Sequence, residues 1–129
     1  MGHATGSFAP RTWTASIPAG PDAPAHARWL LWSRVGRYHL PTEMETAVLL
    51  LSELVSNAVR HGEGNEPIDI KITLDRADLR VVVRSRGSRF DPKEALQDAD
   101  GRGLRLVEAL SAGWGARATP AGMEAWFAV

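Results

Sequence analysis

The sequence points to an α+β domain, a two-layer sandwich in which helices cover one face of a mixed, mainly antiparallel sheet. Three observations carry this expectation. Residues 68–74, "IDIKITL", alternate apolar and polar side chains with the period of two of a half-buried strand, and "LRVVVRS" returns after the tight connection "RAD". Residues 41–62 instead repeat their apolar positions at helical spacing. Near the other end, "WGARATPAGMEAWFAV" reads as two strands around the turn "TPAG".

The elements follow in order. In "RTWTASIP", Trp13, Ala15 and Ile17 alternate with polar neighbours as a strand, which "GPDAP" ends. Residues 23–38 turn helical, with Ala27, Leu30, Leu31, Arg34 and Val35 on one face and Asp22 and Pro24 at the N-terminus. Trp29 and Trp32 sit three apart on a neighbouring face, and packing against the body of the protein is the reading preferred over a partner-binding patch. The next helix has Pro41 at its start, Thr42 as a cap with Glu45 three residues on, and Met44, Val48, Leu51, Val55 and Val59 inward, and it closes at Gly62. After the two central strands comes an irregular stretch, "RGSRFDPKEALQDADGRG", then a short helix "LRLVEALSA" with Leu104, Leu106, Val107 and Leu110 apolar. The order is β-α-α-β-β-loop-α-β-β.

Composition bounds the function. The 129 residues, 44% of them hydrophobic, suit one core, so residues 11–129 are expected to form a single domain behind a flexible N-terminus at 1–10. Fifteen basic and fifteen acidic residues cancel, giving no net pull toward nucleic acid or an anionic membrane. Cysteine is absent, which excludes disulfides, thiolate metal sites and thiol catalysis and fits a reducing compartment. The start lacks a charged and then apolar leader, and no apolar run reaches about 18 residues, so a cytoplasmic protein is expected.

The chemistry gathers on the long helix. Glu53, Asn57 and His61 recur every four residues and so share nearly one face. A carboxylate there can orient a hydroxyl or accept its proton, and the asparagine amide oxygen is a hard, neutral ligand suited to Mg²⁺. Downstream, Gly101 and Gly103 open a helix, where backbone N–H groups and the helix dipole favour a phosphate. The competing reading is a polar helix edge facing solvent. The succession of helix, two strands, glycine turn and Gly-x-Gly helix favours a Mg-nucleotide site.

These segments carry a resemblance. "LLLSELVSNAVRHG" resembles the N box of the GHKL ATPase superfamily, which includes gyrase and the histidine kinases and shares the Bergerat fold. More narrowly, "ELVSNAVRHG", "GRGLRLVEALSAGWG" and "GMEAWFAV" resemble the anti-sigma factor serine/threonine kinases, and the likeness runs from about Arg11 to Val129. It implies that Glu53 acts as general base on a partner's serine and that Asn57 binds Mg²⁺. Arg60 and His61 would then lie near the phosphates, and Gly101, Arg102, Gly103 and Leu104 would form the second glycine box. Residues 90–102 would be the nucleotide lid, and Phe90, Asp91 and Pro92 also look familial. ATP and Mg²⁺ are the implied cofactors. A sigma factor or an antagonist protein is the implied partner, and dimers are usual in the resembling family.

The sequence departs from that pattern at the first glycine box. Where the family reads Asp-x-Gly-x-Gly, this chain reads Ser85-Arg86-Gly87-Ser88-Arg89, so only Gly87 remains. Ser85 stands where the family's aspartate meets the adenine amino group, and losing a charge-assisted contact costs about 1–3 kcal/mol. Arg89 brings a long cation where glycine is usual. The cluster Arg84, Arg86 and Arg89 reads more readily as solvated charge than as an anion site. Two functions therefore stay open: an ATP-dependent kinase of a partner-switching system, or a nucleotide-impaired module of the same fold that works by capturing its partner. A stand-alone histidine-kinase catalytic domain is disfavoured, because no dimerisation helix with a phospho-acceptor histidine is seen and His3, His26, His39 and His61 have no such setting.

Overall fold

The computed structural model describes residues 9–38, 41–61, 66–86 and 102–129. Its elements are β1 (Arg11–Ile17), α1 (Ala23–Val35), a 3-10 turn (Gly36–Tyr38), α2 (Pro41–His61), β2 (Ile68–Asp75), β3 (Asp78–Arg86), α3 (Arg102–Leu110), β4 (Gly113–Thr119) and β5 (Gly122–Ala128). The strands form one sheet in the order β1-β2-β3-β5-β4. Every described pair is antiparallel, so the parallel component expected of a mixed sheet is absent among the described residues.

Alternation fixes which face is covered. In β2, Ile68, Ile70, Ile72 and Leu74 are buried, and register pairs Ile70 with Ala15 on one side and Val83 on the other. Leu79, Val81 and Val83 of β3 and Phe127 of β5 extend the same layer. A slip of one residue would turn all four apolar side chains of β2 into water, at about 1.5–3 kcal/mol each, so the register is strongly specified. The hairpin between β2 and β3 turns through Arg76, whose φ of 61° lies in the left-handed region. That is the conformation a two-residue hairpin turn demands of its first central residue.

The helices lie on this apolar face. Ala47, Leu50, Leu51, Leu54, Val55 and Ala58 of α2 are buried and meet Ala27, Leu30, Leu31 and Val35 of α1 within one core. Four details differ from expectation. The long helix already begins at Pro41, so Thr42 falls in the first turn and not at the cap; Pro tolerates that position because its missing N–H would be unpaired there. Asp22 sits at the N-cap of α1 but makes no capping hydrogen bond. Arg34 is exposed although its spacing matches the buried stripe, because in the last turn a long side chain can run past the core into solvent. Trp29 and Trp32 are 65% and 50% exposed, so neither joins the core. The Trp32 ring instead lies along its own helix over Gly36, and Trp29 neighbours His26. In α3, Val107 is fully buried while Leu110 is exposed. Among the described residues no helix is long and apolar enough to cross a membrane.

Candidate functional site

Below α2 the inner face of the sheet changes character. Along β5 the inward positions are Met123, Ala125 and Phe127, and Ala125 is flanked in register by Val83 on β3 and Ala116 on β4. Small side chains here leave a gap that Phe127 closes farther along. The result is a cleft lined by Leu54, Asn57 and Ala58 from α2, Val83 and Ser85 from β3, Ala116 from β4, and Met123 and Ala125 from β5. Its free volume is ≈ 20 Å³, enough for one water-sized group.

Two of these residues stand out. Asn57 and Ser85 are the buried polar residues of the described structure, only 8% and 7% exposed, and both face the same cleft. Among the described residues the Asn57 side-chain Nδ2 is buried without a hydrogen-bond partner, as is the Ser111 hydroxyl outside the cleft. A buried polar atom left unpaired costs about 1–3 kcal/mol, a cost that a ligand acceptor or a water at Nδ2 would relieve. An amide that can present either Nδ2 or Oδ1 suits both a ligand acceptor and a hard cation such as Mg²⁺. The chemistry of Asn57 therefore suits a magnesium-bound nucleotide, of which the cleft itself would admit one water-sized group. Among the described residues no cluster of three or more His, Asp or Glu side chains forms a metal cage, so phosphate oxygens would complete any coordination sphere around Asn57.

The other expected site residues divide into three groups. Glu53 and His61 are half-buried on α2, one turn either side of Asn57, while Arg60 is exposed, and none of the three lines the cleft. His61 has a partner of its own. The helix expected after "GRG" begins at Arg102, so the backbone of Arg102, Gly103 and Leu104 forms the first turn of α3. Gly87, Arg89, Gly101 and the expected lid at 90–102, except for Arg102 itself, lie outside the described residues, as do Phe90, Asp91 and Pro92.

Two of the arginines expected to be merely solvated have carboxylate partners. Arg84 pairs with Glu124 at 2.7 Å and Arg86 with Asp69 at 3.3 Å, both on the outer face of the sheet. Alternation explains this: Ser85 points inward to the cleft, so its neighbours 84 and 86 must point out. Sequence reasoning missed the apolar walls of the cleft. Leu54 and Ala58 were findable, since Leu54 stands one turn before Asn57 and Ala58 one turn after Leu54. Met123 was not, because only the cross-strand register places it opposite Ser85.

Comparison with known proteins bears on the family and the fold. A family model described as the histidine kinase-like ATPase domain matches residues 17–128. A search of curated proteins finds no match. Among solved structures, the chain is similar to the RsbU and RsbW domains of Rv1364c from Mycobacterium tuberculosis, with a TM-score of 0.72 at 21% identity. The match covers 92% of this chain and 32% of that one, so the likeness is one of fold over a part of the larger protein.

Proposed function

Since the chain belongs to the histidine kinase-like ATPase domain family, we propose that it is an anti-sigma-type regulator of a partner-switching system. In this reading it holds ATP with Mg²⁺ against α2 and phosphorylates a serine on an antagonist protein. The observation that supports this best is the buried Asn57, whose Nδ2 has no partner among the described residues, in a cleft that apart from Ser85 is walled by apolar side chains. When bound, ATP with Mg²⁺ supplies a transferable phosphoryl group and the positive charge that steadies it.

The chain's own groups have positioning and electrostatic work. Asn57 offers its amide oxygen to the cation. The backbone N–H of Gly103, in the first turn of α3, receives phosphate charge, and the resemblance assigns Gly101 the same task. Glu53, half-buried one turn before Asn57, orients the partner's serine hydroxyl and takes its proton. Arg60 and His61, in the last turn of α2, add positive character beside the phosphates. The proposed setting is the cytoplasm, where a chain without cysteine has no redox liability.

A second reading has its own support. Ser85 is uncharged where a carboxylate would hold an adenine amino group, which favours a nucleotide-impaired module that captures a sigma factor or antagonist, as a monomer or a homodimer. Calorimetric titration with ATP and ADP, each with and without Mg²⁺, separates the two. The first reading expects micromolar, Mg²⁺-dependent binding that Asn57→Ala abolishes, and serine phosphorylation that Glu53→Ala abolishes. Absence of heat up to millimolar nucleotide would leave the capture module.

A further inference from the structure

The polar end of the cleft is small and neutral. It offers one hydroxyl, from Ser85, and one amide, from Asn57, among apolar walls, with no carboxylate in its lining. Its ≈ 20 Å³ admits about one water-sized group. Resting on the nucleotide reading above, we infer that this pocket takes 6-keto purine nucleotides as readily as 6-amino ones, with Ser85 as the residue that removes the distinction.

The reasoning is one of donors and acceptors. A pocket rejects a base strongly only when the wrong base leaves a buried polar group unpaired or sets two acceptors against each other. A carboxylate is such a filter, since it only accepts: it welcomes an amino group and repels a keto oxygen. A serine hydroxyl both accepts and donates, and its hydrogen rotates to suit, so it can receive the N–H of an amino group or donate to a keto oxygen. The Ser85 hydroxyl is therefore satisfied by a 6-keto base as well as by a 6-amino one, and the usual penalty for the wrong base disappears.

The experiment is competition calorimetry of Mg-ATP against Mg-ITP, which differ at the 6-position through exchange of amino for keto. The natural chain is expected to bind the two within about tenfold of each other. Ser85→Asp is expected to weaken ITP relative to ATP by about ten- to a hundredfold, the range of a charge-assisted contact. Ser85→Ala, a variant of nearly the same volume, guards against misfolding of the aspartate variant and is expected to weaken both nucleotides together. A natural chain that prefers ATP by well over tenfold overturns the inference and leaves the nucleotide reading standing. A Ser85→Ala chain that binds both nucleotides as before also overturns it, because Ser85 would then not touch the base. No binding of either nucleotide overturns the nucleotide reading and this inference with it.

Discussion

Glu124 sits on the outer face of β5 between two guanidinium groups, taking Arg84 Nε at 2.7 Å and Arg117 Nε at 3.2 Å. The hydrogen bond from Arg84 holds its carboxyl below the usual value of 4.5, with Arg117 adding to the effect and partial burial opposing it. Because the folded-state value is depressed, the carboxylate stabilises the fold fully above about 4.5, and that contribution drains away as pH falls through the lower, folded value. Urea unfolding should therefore show Glu124→Gln to be less stable than the natural chain at pH 7, with the gap closing as the solution is acidified below that range. Equal gaps at both pH values would mean that the pair contributes through shape and not through charge. Nothing in the sequence marks Glu124 for this role, since its partners are 7 and 40 residues away and meet it only across strands.

The outer face of the sheet also explains a glycine. A Cβ at Gly115 would stand 2.5 Å from Nε1 of Trp126 and 3.0 Å from its Cε2, so the indole rests directly on the β4 backbone. Arg80 lies over the same ring, 4.1 Å from its centroid. Gly115→Ala must push the ring off this seat and disturb the Arg80 contact, so we expect a loss of about 1–3 kcal/mol in urea unfolding, reported by Trp fluorescence. The strands themselves were legible: β2 alternates cleanly and its buried set matches its apolar positions, while the more continuously apolar β3 turns Val82 outward and buries Ser85. The need for Gly115 was not, because it belongs to a partner eleven residues on, across the hairpin, by way of Gly115↔Trp126 pairing. The same limit misplaced Trp29 and Trp32. Helical spacing says which residues share a face, and only the tertiary fold says whether that face is covered.

Across the molecule, the site and the core are one layer. Helical spacing, the order of elements and the resemblance together picked out Asn57 on α2, and the break in the glycine pattern picked out Ser85, yet 28 positions separate them in the chain and the fold sets them in one cleft. Met123, 3% exposed, is at once a wall of that cleft and part of the buried interior. Met123→Ala should cost about 2–4 kcal/mol in thermal or urea unfolding while leaving the sheet intact by circular dichroism. A loss below 1 kcal/mol would show that the wall is loosely packed. The dual service of Met123, Val83 and Leu54 also constrains how such a protein can diversify. Any substitution that deepens the recess for a bulkier ligand excavates the interior by the same stroke, so a lineage exploring new ligands must first accumulate surplus stability elsewhere. Ser85 escapes that bind, because it changes what the recess recognises without changing how much of the interior it occupies.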